Sequence, residues 1–458
     1  MSALTIGAIV GLILLVTLAI GMPVAFALGL TAITSVLLFL TMAELAFFAD
    51  FVFSSLNDFG LLAIPLFVLM GAIFGHSKAS EDLLEAAHVW VSRLPGGLAM
   101  SSVVACSVFA ALTGSSPATS AAIGKIAIPE MTKRGYSNEL ATGAIVAGGT
   151  LGILIPPSVT LILYGIATET SIGRLFLGGV VPGIMVTLLF CLWILVTVLL
   201  GRASGRSQQR TSGTGGSGET SGETLQTVGG AESYSWKHRF GVLTKVIPFA
   251  VLIACVLGVL YLGIATPSEA AGVGALLAFI LVALLYRSVT LRNLMDIALE
   301  TTRTSTMILM IVAFSAVLGQ ILTFLNVPQG LAQLVADLEV NRWVVFLIMN
   351  LLFLFLGCFI PPVAIILVTM PVLFPIITEL GFDPVWFGVV MTLNMEMGLI
   401  TPPVGLNLYV VQGIAPDIPL RDILVGSIPY VGVLALGIII LALFPGLVTW
   451  LPNQTLGG

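Results

Sequence analysis

Polar groups that could bind a ligand are few in this chain, and they cluster in two apolar stretches. The first stretch, GSSPATS at 114–120, is rich in hydroxyls, and those of Ser115, Ser116 and Thr119 are the candidate ligands. The second, GGTLGILIPP at 148–157, combines small residues with a proline pair and includes Gly149, Thr150, Gly152 and Pro156. Hydroxyls and backbone carbonyls without a helical donor are oxygen ligands that suit a hard cation such as Na⁺. The alternative is that the hydroxyls only cap helices and permit close packing.

The proline pair in the second stretch prevents a continuous helix. Pro157 has no N–H, and each proline disfavours the α conformation of the residue before it. Several carbonyls between Gly152 and Pro156 therefore lose their helical donors. In hydrocarbon each of these carbonyls would be costly unless it lined a wet or ligand-filled cavity. We expect this break to bind something polar.

The same interruption returns 246 positions later in the chain. Residues 395–409 read MEMGLITPPVGLNLY, which places a glycine and a second proline pair at the matching positions. The chain is therefore expected to consist of two copies of one structural repeat. By this match, the second group of cation ligands is expected at Gly357, Gly398, Thr401 and Pro402.

Four more polar side chains are candidates for binding an anionic substrate: Lys125, Asn394, Glu396 and Asn407. A carboxylate at membrane depth is costly and marks a functional site by default. Glu396 could instead be a hydrogen-bonded part of the scaffold. Lys125 comes before Lys133 on a predicted helix and would lie about 12 Å deeper than it. Its ammonium could extend to the interface or face the cavity.

The composition excludes a water-soluble globule. Of 458 residues, 58% are hydrophobic and 9% are charged, which leaves too little polar surface to cover a soluble fold. We therefore predict an all-α polytopic membrane protein. The net charge of −5 comes with no basic face for nucleic acid. The sequence has no P-loop, metal cluster, nucleophile cluster or organic-cofactor motif, so we expect no enzyme and an ion gradient as the energy source.

Apolar runs and polar gaps divide the chain into two repeats. The first repeat covers 1–201 and the second 240–458, and the Gly/Ser-rich segment 202–239 reads as a flexible cytoplasmic linker. Each repeat should contain a re-entrant helical hairpin, at about 95–134 and 342–379. Each hairpin should precede a discontinuous helix, at about 138–168 and 383–414. We also expect a polar connection at 287–300 and a single closing span at 424–451.

The repeats are expected to run in opposite directions, because the first half holds an odd number of crossings. With the linker in the cytoplasm, only Arg174 and Arg342 among the basic residues fall outside, as the positive-inside rule favours. Inverted repeats with paired hairpins and discontinuous helices are typical of secondary transporters, which bind substrate and ions near the midplane. Half-helix N-termini attract anions, and free carbonyls attract cations. The expected cargo is an anion that moves with Na⁺.

Three runs resemble one family, the large membrane subunit of tripartite ATP-independent periplasmic (TRAP) transporters. They are GSSPATSAAIGKIAIPEMTKRGYS at 114–137, GGTLGILIPPSVTLILYG at 148–165 and GLITPPVGLNLYV at 398–410. The resemblance implies Na⁺-driven uptake of a small organic anion, usually a carboxylate, by an elevator-like motion in the bacterial inner membrane. It also implies two partners, a small four-helix membrane subunit and a periplasmic substrate-binding protein. One departure is Pro361, where many relatives carry an acidic residue.

Two other functions are consistent with parts of this pattern. A stand-alone Na⁺/carboxylate carrier of the same ion-transporter superfamily would share the architecture and would transport without a binding protein. A membrane-embedded enzyme or an assembly scaffold would need a metal or nucleophile cluster, which the sequence lacks.

Overall fold

The computed structural model describes residues 2–208, 235–286, 290–337 and 341–456, and these ranges are helical with no β-strand. Short 3₁₀ turns join some of the helices. The helices of the first half are α1 (Ala3–Ala19), α2 (Val24–Phe39), α3 (Met42–Leu45), α4 (Phe48–Leu56), α5 (Ala63–Gly75), α6 (Ala79–Val91), α7 (Gly97–Thr113), α8 (Ser116–Lys133), α9 (Asn138–Thr150), α10 (Val159–Thr168) and α11 (Ile172–Gln208).

The second half contains fewer but longer helices. A π-helical turn at Val282–Tyr286 extends the second of them. The helices are α12 (Trp236–Tyr261), α13 (Pro267–Leu281), α14 (Leu291–Phe324), α15 (Val327–Asp337), α16 (Arg342–Gly357), α17 (Pro362–Glu379), α18 (Pro384–Leu399), α19 (Leu406–Ile414), α20 (Leu420–Leu443) and α21 (Gly446–Leu456).

The two halves repeat the same run of helices at a constant spacing. Helix α17 begins 246 positions after α8, and α18 begins 246 positions after α9. The turn between α8 and α9 contains Gly135 with a φ of 79°, and its counterpart Gly381 has a φ of 72°. Glycine adopts this left-handed conformation without the clash that a Cβ would introduce. The duplication in the sequence is therefore also present in the backbone.

Both predicted interruptions are confirmed as gaps between helices. Helix α9 ends at Thr150, and after a short 3₁₀ turn the chain resumes as α10 only at Val159. In the second half α18 ends at Leu399 and α19 starts at Leu406. Both proline pairs contain a cis peptide bond. Each break follows a helix–turn–helix hairpin, formed by α7 with α8 and by α16 with α17.

Three predictions about the connections need correction. The polar connection at 287–300 is wrong beyond residue 289, because one helix, α14, begins at Leu291; Thr290 caps it through the Asn293 amide. The charged residues at the start of α14 recur about every four positions, which favours a solvated helical turn. The linker at 202–239 lies mostly outside the described residues, but 202–208 belong to α11 and 236–239 to α12. The closing span ends early, since Pro445 forces Phe444 out of the α conformation.

The described helices are long and apolar enough to cross a membrane several times. Six of them pass this test singly: α11, α12, α13 with its π turn, α14, α17 and α20. The pair Phe48–Leu56 and Phe59–Gly75, bent by 59°, passes the test only when the two are taken together, as a broken span or a re-entrant loop. The chain is thus a polytopic, all-helical membrane protein, as the composition predicts.

The core surrounds the first half of each broken helix. Every residue of α9 from Ala141 to Thr150 is buried, and so is every residue of α18 from Val385 to Leu399. The repeats are interlocked, since α10 packs against α17 of the second hairpin and α19 packs against α8 of the first. Each break therefore lies beside the hairpin of the other half.

A backbone-to-backbone contact joins α9 to α20. A Cβ built on Gly143 would overlap the carbonyl of Gly426, and one built on Gly426 would overlap the carbonyl of Glu139. These two glycines therefore allow a separation between helices that no larger residue permits.

We expect Gly426→Ala to lower the free energy of unfolding by about 1–3 kcal/mol, because overpacking forces the two backbones apart. Thermal unfolding of the purified protein in detergent measures the effect. The matched control is Gly432→Ala on the same helix, where an added Cβ meets nothing within 4 Å. That variant should be unchanged or slightly more stable, since alanine favours a helix. Equal destabilisation of both variants would contradict the contact.

Candidate functional site

The tip of the first hairpin lies directly on the first break. A Cβ on Gly152 would come within 2.6 Å of the Ser115 carbonyl carbon and oxygen and of the Ser116 nitrogen. At the tip itself Gly114 has a φ of 59°, and its Cβ would come within 3.0 Å of the Pro157 carbonyl oxygen. Glycine is required at both positions because the two backbones touch.

The predicted hydroxyl residues of the first half line this contact. Thr119 is buried; its Oγ1 donates to the Ser115 carbonyl at 2.8 Å and lies 2.9 Å from the Thr113 hydroxyl. Thr150 donates to the Ala147 carbonyl of its own helix at 2.6 Å. Because each hydroxyl donates its proton to a carbonyl, at least one of its lone pairs stays available to a cation.

Part of the backbone at the first break is hydrogen-bonded by a side chain of the break itself. Ser158, which the sequence analysis did not single out, donates to the Ile153 carbonyl at 2.6 Å and caps α10 through the Leu161 amide. Pro156 is buried beside it. At Gly149 a Cβ would overlap the Ser120 hydroxyl, which is buried and has no hydrogen-bond partner among the described residues. Ser120 is therefore a second hydroxyl that sequence reasoning missed.

The second hairpin and break repeat this packing with fewer hydroxyls. A Cβ on Gly398 would come within 2.6 Å of Gly357 backbone atoms, and the Gly405 amide donates to the Cys358 carbonyl at 3.3 Å. Thr401 donates to the Met397 carbonyl at 2.6 Å. Pro402 is exposed. Backbone groups therefore make up most of the polar surface at the second break.

Glu396 connects the two halves at the first tip. Its side chain is fully buried on α18, and the Ser116 hydroxyl on α8 donates to its Oε1. The Ile153 backbone in the first break also interacts with this carboxyl group. Oε2 has no hydrogen-bond partner among the residues that the structure describes. One carboxyl group thus contacts the first hairpin and the first break from the second repeat.

Asn394 binds inside the second repeat. Its Nδ2 donates to the Asn350 carbonyl at 3.1 Å and to the Asn350 Oδ1 at 2.9 Å. Asn350, in turn, donates to the Phe346 carbonyl at 2.7 Å. Sequence reasoning missed Asn350, although an asparagine alone in the apolar run of α16 was a signal of a buried polar contact.

The two remaining candidates lie apart from each other. Asn407 is fully buried in the first turn of α19, and neither its Oδ1 nor its Nδ2 has a hydrogen-bond partner within the described ranges. Lys125 is exposed on α8. The structure therefore brings Ser115, Ser116, Gly152 and Glu396 together and leaves Lys125 outside that group.

This arrangement can coordinate a small hard cation. Within the described ranges, His, Cys, Asp and Glu side chains form no group of three that could hold a metal ion. The polar atoms at the first tip are instead hydroxyls, backbone carbonyls and the single carboxyl group of Glu396. Oxygen donors of this kind suit Na⁺ and give a soft transition metal little to bind.

We expect a double-mutant cycle on Asn350 and Asn394 to show coupling. Asn350→Leu or Asn394→Leu should each lower the free energy of unfolding by about 1–3 kcal/mol, because each leaves a buried amide unpaired. The double variant should lose less than the sum, with a coupling of about 0.5–3 kcal/mol. Unfolding of the purified protein provides the four values. Strict additivity would mean that the two amides do not interact.

Comparison with known proteins places these features in one family. Residues 11–447 match the family model described as the DctM component of tripartite ATP-independent periplasmic transporters. The C4-dicarboxylate TRAP transporter large permease protein DctM of Pseudomonas aeruginosa is 36% identical over 93% of this chain and 93% of its own length. The isethionate TRAP transporter permease protein DctMQ of Oleidesulfovibrio alaskensis is 34% identical over 87% of this chain and 59% of its own length.

A solved structure shares the fold at low sequence identity. The crystal structure of the Alcanivorax borkumensis YdaH transporter aligns with a TM-score of 0.54 and 18% identity, covering 89% of this chain and 90% of that one. It supports the fold alone. The family match covers most of the chain, including both hairpins and both breaks. The chain therefore belongs to the DctM family of TRAP transporters, the large permease subunits, which are multi-pass proteins of the bacterial inner membrane and not enzymes.

Proposed function

We propose that this permease imports a small organic anion together with Na⁺ by an elevator mechanism. The observation that carries the proposal is the duplicated contact between a hairpin tip and a helix break. At the first tip this contact is completed by Glu396 from the opposite repeat. In the middle of the membrane, a hairpin tip packed on a helix break exposes its oxygen atoms to a ligand and not to lipid.

Sodium coupling is supported by the kinds of atom at the two tips. The first tip offers Ser115, Ser116 and Thr119 next to the break at Gly152, and the second offers mainly backbone groups around Gly357 and Gly398. Several oxygens at short range replace the hydration shell of a hard cation. We propose one Na⁺ site at each tip, with Glu396 adding carboxyl oxygens near the first.

An anionic cargo is supported by the half-helices that follow the breaks. The N-termini of α10 and α19 carry the positive ends of helix dipoles. In α19 the unpartnered amide of Asn407 lies in this first turn. The relatives are named for C4-dicarboxylate and isethionate, which are both organic anions. We propose a carboxylate as the substrate class, bound between the half-helix N-termini.

The proposed motion follows from how the helices are grouped. Close glycine contacts join each hairpin to its break, and the breaks interlock with the hairpin of the other repeat. The helices α2, α5, α13 and α14 form a second group, in which α14 packs on α2 and α5, and α13 packs on α5; α14 and α5 also contact the hairpins through α17 and α7. We propose that the hairpins and breaks move as one body against that second group.

The proposed partners are those of the family: a small four-helix membrane subunit and a periplasmic binding protein that delivers the anion. The name DctMQ of one relative, of which this chain covers 59%, is consistent with a permease joined to a small subunit in one polypeptide. A stand-alone Na⁺/carboxylate carrier of the same superfamily is the second candidate, since it would share the paired hairpins and breaks and need no binding protein.

We expect Gly152→Ala and Gly398→Ala each to reduce Na⁺-dependent uptake by about tenfold or more. Each Cβ would push a hairpin tip off its break, and overpacking of about 1–3 kcal/mol is enough for that loss. The assay is uptake of a radiolabelled C4-dicarboxylate into proteoliposomes that hold both membrane subunits, with the binding protein outside. Gly413→Ala is the control, because an added Cβ there meets nothing within 4 Å. It should transport normally.

Two results would overturn parts of this proposal. Uptake that is the same in Na⁺ and in choline buffers would contradict the proposed coupling to Na⁺. Full uptake by this chain alone, without the binding protein, would favour the stand-alone carrier.

A further inference from the structure

The start of α12 packs against the end of α6 and leaves aromatic rings exposed around a basic segment. Val242 packs on Ala86 and Val89 in the interior of this contact. Next to it, Phe240 meets Trp90 edge to face at 6.2 Å and stacks with Trp236 at 6.2 Å. We call this place the α6–α12 junction.

Arg239 is the buried cation of the junction. Its side chain is 5% exposed, and its guanidinium lies over the Trp236 ring at 5.4 Å. Its Nε and Nη2 are buried without a hydrogen-bond partner in the described part of the chain. A ring face attracts the charge but accepts no conventional hydrogen bond from these N–H groups. A buried guanidinium in this state is unfavourable unless an acceptor binds it.

The acidic side chains of α6 next to α12, and that of Glu130 on α8, are engaged in ion pairs away from Arg239. Asp82 and Glu85 of α6 both pair with Lys245, at 3.2 and 2.8 Å, on the far side of the Val242 contact. Glu130 at the end of α8 pairs with Arg134 at 2.9 Å. Arg239 therefore lies at the end of the junction that has basic and aromatic neighbours.

The first turn of α12 adds to the positive potential. It contains no acidic residue, and within the described residues the side chain of Ser235 at the N-cap makes no capping hydrogen bond. Lys237 is exposed in the same turn. The helix dipole places further positive charge at this end, where cations are unfavourable and an anion is stabilised.

We propose that the α6–α12 junction binds the phosphate of an anionic phospholipid headgroup, with Arg239 as its forked donor. A guanidinium matches phosphate geometry with two parallel hydrogen bonds. The exposed rings of Trp90, Trp236 and Phe240 flank the position and suit the glycerol and upper acyl region. Basic pockets between membrane helices on the cytoplasmic side bind such headgroups. A free phosphate ion would use the guanidinium but not the rings.

The experiment is a lipid titration of the purified full-length chain in detergent micelles, read by thermal unfolding. Dioleoylphosphatidylglycerol is added in one arm, dioleoylphosphatidylcholine in the second and inorganic phosphate in the third. We expect a saturable stabilisation by phosphatidylglycerol, and Arg239→Gln should raise the half-saturating lipid concentration by at least about tenfold. Arg292→Gln is the matched control, because Arg292 is an exposed arginine near the N-terminus of another membrane helix. It should leave the titration unchanged.

Arg239→Lys keeps the proposal testable if the glutamine variant does not fold. It preserves the charge but loses the forked geometry, so it should fold and bind the lipid several-fold more weakly. Equal titrations for wild type, Arg239→Lys and Arg292→Gln would overturn the site. Equal stabilisation by inorganic phosphate would replace the lipid with a free anion. If lipid has no effect and only the small membrane subunit stabilises the chain through Arg239, the residue makes a protein contact and the proposal fails.

Discussion

A peptide group exposed by a helix break inside hydrocarbon must be satisfied by protein, water or a ligand. This constraint explains the glycines that surround both proline pairs. Gly152 brings the first break against the tip at Ser115, and Gly398 brings the second against Gly357, close enough for the two backbones to touch. The Ser158 hydroxyl and the Gly405 amide then each donate a hydrogen bond to one of the exposed carbonyls. What is left over is a small set of oxygens at each tip, which is the physical basis for a cation site.

The two copies of this contact have diverged in chemistry while keeping their geometry. The position of Thr150 in the first break is occupied by Glu396 in the second, and the position of Ser116 at the first tip is occupied by Pro362. The structure joins the two differing groups, since Ser116 donates to Glu396 across the repeats. The chain thus places the buried carboxyl group of its second repeat at the first tip, so the two proposed cation sites differ in the oxygen donors that they offer.

Helix-breaking and turn-forming residues made much of this fold predictable. Proline pairs, turn glycines and apolar length gave both hairpins and both breaks, because each is encoded within a few residues. The continuous helix α14 was missed because charged residues read as a loop, although their spacing and the Thr290 cap favour a helix. The partner of Glu396 could not be predicted, since Ser116 is 280 positions away and no local pattern encodes such a contact. Asn350 was missed although a lone asparagine in an apolar helix is a local signal; only its pairing with Asn394, 44 positions away, had none.

The interlocking of the repeats limits how the protein could move. Because α10 packs on α17 and α19 packs on α8, neither hairpin can separate from the other without exposing a break to lipid. Opening the first tip alone would also separate Glu396 from its Ser116 partner, and the loss of a hydrogen bond by a buried carboxyl group is costly. A displacement of all these elements together keeps both sets of contacts and changes only the apolar surface outside them. Movement of these elements as a single body, as proposed above, therefore costs less than movement of either hairpin alone.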